Sequence, residues 1–551
     1  MTESTDQVAE KTWANSAARI GWTILIAATL YVCYFSHLGA IGFVGPDEPR
    51  YAWVARDMAE TGDWVTPRLY GKPWFEKPPL YYWGGALCFK LFGVSEASAR
   101  LPSAVSALFA TLAMAWLALR LYGAETARWL LLLLPTTVGM IGFSHAAATD
   151  MPFSGMLTIA MVAAAVLLGL TKDENAPILP RTPWLALLLF GFFLGLAVLA
   201  KGPAAIILCG GAVFFWALFT KRRRDAFRLL HPVAVATFCL TALPWCILCA
   251  RRNPDFFRVF LIEHNFKRYL TPEFQHIQHF WFYVPVLVIA FLPWTASSVV
   301  ILRDAAHSWR ESRSINSPSL FFASWALFPV FFFSVSQSKL PGYILPTIPP
   351  LGLFLARSVS SRVRKSLLGN RWIGLSSGAT LITLSLLAIL QSEWISFGWA
   401  ALVLAAGGFS VVFPGTRWRL SQAFVISVVA IIGCIALALV GATGSGLDQR
   451  LSARAAPAAA AIIWKEYSPE RSSTYKLQRS FQYSLNFYFH REVPGWSLAQ
   501  AQPGWVYAPD REISELRGLG LDCPFNALRH AVIVCEDPGS AARLPRSGQA
   551  Q

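Results

Sequence analysis

Two short stretches carry most of the chemistry in the first part of this chain: "GPDEPRY", with Asp47, Glu48 and Arg50, and "FEKPP", with Glu76 and Lys77. Farther on come Asp150 at the end of "HAAATD", Lys201 in "KGP", the charged segment "EHNFKRYLTPEFQH" (263–276), and Lys339 in "QSKLPGY". Adjacent carboxylates ringed by ammonium and guanidinium groups suit one kind of reaction. An anionic group such as a phosphate departs while an acceptor is oriented or deprotonated.

The elements that must position these groups are apolar. Hydrophobic residues make up 55% and charged residues 14% of 551 positions, where an ordinary soluble domain has about 25% charged. The expected fold is therefore mainly α, a polytopic membrane protein. Read at about 20 residues per span, the apolar runs suggest about thirteen transmembrane helices. They fall near 20–43, 99–121, 126–144, 151–170, 184–200, 203–219, 228–249, 279–302, 318–336, 343–357, 372–390, 394–413 and 422–441. The first run is too long for the apolar part of a signal peptide and is read as a span.

Loop charge sets the orientation. "KRRRDAFR" (221–228), "RDAAHSWRESR" (303–313), "RSVSSRVRK" (357–365), and Arg417 with Arg419 lie in one alternate set of connectors, which the positive-inside rule makes cytoplasmic. The formal charge of +16 is thus mostly a topology signal. Nucleic acid is a poor partner for these bases, which have no stacking platform between them. The opposite set of loops holds nearly every unusual polar motif. Solvated loop ends would also carry charge, but six clusters on one side, several beside Trp, Tyr and Pro, favour a site. With no nucleotide-sugar pool on the outer face, an activated donor there is most simply carried on lipid.

The order of "DEPRY", "FEKPPLYYW", "ATD", "KGP", "EHNFKRY" and "SKLPGYILP" resembles the polyprenyl-phosphate-dependent glycosyltransferases of the GT-C class. Within that class it is most similar to the bacterial aminoarabinose transferases of lipid A, relatives of the protein O-mannosyltransferases. The resemblance spans residues 15–445 well and the tail loosely. It implies a bacterial inner-membrane enzyme with its active site facing the periplasm, moving a sugar from undecaprenyl phosphate to lipid A. A lower negative charge on the outer membrane, and resistance to cationic peptides, would follow. Asp47 would be the catalytic carboxylate, and Asp150 the second acidic position, engaging the sugar. Lys77, Arg268 and Tyr343 would hold the donor phosphate. Glu48, Arg50, Tyr51, Tyr81, Lys201 and Lys339 would bind substrate or order the loops, Glu48 and Arg50 as a local ion pair. No covalent enzyme intermediate is required, so inversion at the anomeric carbon is the simpler expectation.

The chemistry needs no cofactor, and the acidic pair lacks the DxD form that holds Mg²⁺ or Mn²⁺ in nucleotide-sugar enzymes. The resemblance does suggest a structural divalent metal, such as zinc, bridging Glu76 and His264, while His276 and His279 share a side if that stretch is helical. No HExxH spacing supports it, and the CxxC spacing of Cys246 and Cys249 lies within an apolar run.

Residues 1–445 read as the transmembrane catalytic domain, with active-site loops at 44–98 and 250–278. Residues 446–551 read as a small periplasmic α/β domain, helical at "SARAAPAAAAIIWKEY" and strand-like at "STYKLQR", "GWVYAP" and "HAVIVCE", with a disordered end. Cys523 and Cys535 lie on nearby segments in an oxidising compartment, which favours a disulfide. Two other classes compete. A lipid or solute transporter should show matching halves with broken helices at the midplane, and no such repeat is seen. A scaffold would leave Asp47, Lys77 and Asp150 without a task. Within the enzyme class, transfer to a protein hydroxyl or another surface glycan is the alternative.

Overall fold

The computed structural model describes residues 5–170, 183–271, 277–295, 298, 317–365, 452–464, 466–499, 503–523 and 532–539. The chain forms two compact units. One comprises Met1–Ser36, Phe75–Leu80 and Ser103–Ala438; the other comprises His37–Trp74, Tyr81–Pro102 and Leu439–Gln551.

The first unit is helical. Among the described residues five helices are long and apolar enough to cross a membrane: Glu96–Tyr122, Asp150–Leu167, Trp184–Lys201, Pro232–Arg252 and Ser317–Val335. The coarser expectation of a multi-pass, mainly helical membrane protein holds, and the count of thirteen does not follow from these residues. The expected spans at 372–390, 394–413 and 422–441 lie outside them. The run at 126–144 is a pair of helices, Ala124–Leu133 and Val138–Ser144, bent by 62° and together apolar enough to count as a broken span or a re-entrant loop. Pro135 sits in the break and has no N–H to continue the first ladder. Thr137 then caps the second helix, its side chain accepting from Met140 N at 3.4 Å. The first run ends its helix at Tyr34, and the run at 343–357 begins as a 3₁₀ segment, Pro341–Thr347, before the helix Ile348–Lys365. The "KGP" turn does separate two helices, with Gly202 at φ +86.

Asp150–Leu167 is the inner helix of this unit. It packs against Pro183–Lys201, which packs in turn on Pro232–Arg252. Its buried Met151, Phe153, Leu157 and Met161 share one core with Trp129, Trp216, Trp294 and Trp325.

The second unit holds a three-stranded sheet. Ser472–Thr474 lies parallel to Gly504–Pro509, which pairs antiparallel with Val532–Asp537. Both faces are covered, as the period of two requires: Val506, Ala508, Ile533 and Cys535 face one cluster, Trp505, Tyr507, Val532 and Val534 the other. "STYKLQR" is strand only at its start, because a helix begins at Arg479 and buries Leu485 and Phe487. Cys523 and Cys535 form a disulfide. The helix Asp47–Thr61 belongs to this unit. Asp47 and Glu48 occupy its first turn, where the macrodipole favours carboxylates, and Gly62 closes it at φ +73 with its N–H on Met58 O.

Candidate active site

Asp47 opens its helix with its side chain 47% exposed, so a substrate can reach it. Arg50, one turn on, donates from Nη2 to Asp47 Oδ1 and from Nε to Pro46 O at 2.8 Å. The guanidinium is held over Tyr51, Trp74 and Tyr483 at 5.9, 5.6 and 5.3 Å from the ring centres. Of the two residues expected to form a local ion pair, Arg50 meets Asp47 and Glu48 meets Arg100. Side chains one and three places from Asp47 point to different sides of the helix, and Glu48 turns to Arg100, accepting from Nε at 3.0 Å and Nη2 at 2.8 Å. Glu48 Oε2 also accepts from Val44 N at 2.7 Å. Tyr51 and Tyr81 are buried; the Tyr81 hydroxyl donates to Ala99 O at 2.9 Å.

Two clusters form in the first unit. Glu76 gathers Lys77, with Nζ 3.5 Å from Oε1, and Arg268, with Nη1 3.3 Å from the same oxygen. Arg268 continues a π-helical stretch, Arg258–Lys267, an uncommon geometry that recurs at functional sites. Burial pushes the His264 imidazole below its usual range; the Glu76 carboxylate opposes the shift, and Lys77 and Arg268 reinforce it. Glu76, Lys77, His264 and Arg268 therefore share one neighbourhood. Two cations already meet Glu76, and among the described residues Glu76 and His264 supply two of the four ligands that a structural zinc takes. Among the described residues no three His, Cys, Asp or Glu side chains gather to hold a metal.

The second cluster is Asp150, Lys201 and Tyr343. Lys201 Nζ donates to Asp150 Oδ1 and stands 4.7 Å from the centre of the Tyr343 ring. Gly342 makes this possible: a Cβ there would come 2.7 Å from the Asp150 carboxyl carbon and 2.9 Å from the Phe143 ring. Lys339 is not among these groups. It is buried in its own turn, donating to Ser336 O at 2.6 Å, and loss of solvent lowers its pKa.

Arg100, Glu96, Arg454 and Tyr488 were missed in the sequence. Arg100 had a signal, a guanidinium at the mouth of an apolar run; the other three had none.

A helical membrane scaffold carrying clusters of paired carboxylates and cations is what a membrane glycosyltransferase of the GT-C type requires. Residues 20–260 match the family model described as dolichyl-phosphate-mannose-protein mannosyltransferase. The undecaprenyl phosphate-α-4-amino-4-deoxy-L-arabinose arabinosyl transferase of Erwinia tasmaniensis is 30% identical over 409 residues, covering 71% of this chain and 72% of that protein. The protein of the same name from Pseudomonas aeruginosa strain UCBPP-PA14 is 33% identical over 375 residues, 67% of this chain and 65% of that one. The crystal structure of ArnT from Cupriavidus metallidurans bound to undecaprenyl phosphate shares the fold, with a TM-score of 0.73 at 23% identity, over 96% of this chain and 99% of that one. The chain belongs to the family of undecaprenyl phosphate-α-4-amino-4-deoxy-L-arabinose arabinosyl transferases.

Proposed function

We propose that the chain transfers 4-amino-4-deoxy-L-arabinose from undecaprenyl phosphate to a lipid A phosphate at the periplasmic face of a bacterial inner membrane. The observation that carries this reading is that Arg268 meets Glu76, 192 positions away, beside Lys77. An ammonium and a guanidinium brought together in this way are the donors that bind a phosphate. A phosphate oxygen of lipid A attacks the anomeric carbon, and the bond from that carbon to the donor phosphate oxygen breaks. The electron pair leaves with undecaprenyl phosphate. Lys77 and Arg268 neutralise the charge growing there, with the Tyr343 hydroxyl as a further donor. The acceptor is ionised near neutral pH and needs no strong base, so Asp47 acts by stabilising the positive charge that develops on the ring. Attack from the face opposite the leaving phosphate inverts the anomeric centre.

Mass spectrometry of lipid A from cells with and without the chain tests this reading. A pentosamine-sized addition on phosphate, present only with the chain, supports it. The family model matching residues 20–260 favours a second reading, transfer to protein hydroxyls. Unchanged lipid A beside altered glycoproteins would support that one and overturn the first.

A further inference from the structure

The segment leading into Asp47 is neither helix nor strand, so its backbone groups need partners from outside any ladder. Two arginines supply them. Arg100 Nη1 donates to Leu38 O at 2.8 Å and Ile41 O at 2.7 Å, and Nη2 to Gly42 O at 3.0 Å. With Nε and Nη2 also on Glu48, all five N–H donors of this buried guanidinium are used. The carbonyls that Arg100 leaves are taken by Arg454 of the C-terminal part: Nη1 donates to Gly39 O at 2.9 Å and Nη2 to Ala40 O at 3.0 Å. Five successive carbonyls, 38 to 42, are thus held by two guanidinium groups.

The next N–H is held as well. Phe43 N donates to the Tyr488 hydroxyl at 3.1 Å, and that hydroxyl donates to Glu96 Oε1 at 2.8 Å. Glu96 lies 3.5 Å from Arg454 Nη1, so the two C-terminal side chains share one carboxylate. Gly42 marks how close the approach is. A Cβ there would lie 2.7 Å from the Tyr488 hydroxyl and 2.9 Å from Arg454 Cβ.

We infer that Arg454 and Tyr488 are positioning residues for the transfer reaction: the C-terminal part fixes the strap 38–44 against Arg100 and thereby sets where the helix bearing Asp47 begins. This rests on the reading of Asp47 as the reacting carboxylate. The strap ends three residues before Asp47 with Val44 N on Glu48, so a slip of its carbonyls moves the first turn of that helix. A shift of 1 Å at a reacting group costs about a hundredfold in rate. Neither residue belongs to the groups that hold the donor phosphate, so donor binding stays intact.

Full-length Arg454→Met, Arg454→Lys and Tyr488→Phe variants, purified in detergent and normalised to folded protein, test this. Hydrogen exchange at residues 38–44 reads the clamp without turnover. The expected result is faster exchange there in Arg454→Met and at Phe43 in Tyr488→Phe. With it come a kcat at least tenfold lower in Arg454→Met, a donor KM within twofold of wild type, and partial recovery in Arg454→Lys. Unchanged exchange overturns the clamp. Faster exchange with wild-type kcat per folded molecule overturns the positioning role, as does a loss confined to donor KM. A wild-type protein that transfers nothing, while exchange responds as expected, overturns the reading of Asp47 and leaves the clamp standing.

Discussion

Asp47→Asn keeps the side chain's shape and removes its charge, so transfer should fall by about 10²–10³-fold while membrane insertion and donor affinity stay normal. Activity equal to wild type would remove Asp47 from the chemistry. Lys77 tests the donor. Lys77→Ala should weaken donor binding and lower kcat together by roughly a hundredfold in kcat/KM, because the leaving phosphate gains charge in the transition state. Lys77→Arg should recover only part, since a guanidinium fork has a different reach. If Lys77 served only to hold Glu76, from which it lies 3.5 Å, donor affinity of Lys77→Ala would match wild type. The candidate residues were legible because charge is scarce in this sequence and each cluster stands out against it. Their pairing was not. Glu48 and Arg50 read as a local ion pair, yet Arg100, fifty-two positions away, holds Glu48, and nothing local in a sequence encodes a bond of that span.

The turn before Tyr343 is where one element most limits the site. Gly342→Ala places a methyl group against the Asp150 carboxyl and the Phe143 ring, and overpacking of this kind costs about 1–3 kcal/mol. The expected outcome is a lower melting temperature with loss of transfer; a variant with both unchanged would show that the Asp150, Lys201 and Tyr343 arrangement is not needed. The Cys523–Cys535 disulfide closes a separation of twelve residues, for which loop entropy predicts about 3 kcal/mol. Cys535→Ser should therefore open the sheet formed by Gly504–Pro509 and Val532–Asp537, seen as faster amide exchange in those strands, and equal exchange would count against a stabilising role. Strands and the disulfide were readable from alternation and compartment. The bend at Pro135 hid inside an apolar run because composition reports burial and not direction.

At the scale of the molecule, orientation and reaction stand or fall together. Cysteines placed in 221–228 should be shielded from an impermeant thiol reagent in intact spheroplasts, while those near residue 70 or 480 should label, on a background with Cys88 replaced by serine; labelling of 221–228 from outside would reverse the topology. Membrane class was plain from composition. That residues 37–74 and the C-terminal part form one compact unit was not, since sequence order separates them by hundreds of residues. The central claim is tested most directly by incubating the purified protein with undecaprenyl phosphate carrying isotopically labelled 4-amino-4-deoxy-L-arabinose and with lipid A, and following the label. Labelled pentosamine on a lipid A phosphate, inverted at the anomeric carbon and lost in Asp47→Asn, is the predicted result. Label that stays on the donor with wild-type protein, or that moves equally well with Asp47→Asn, would contradict the account.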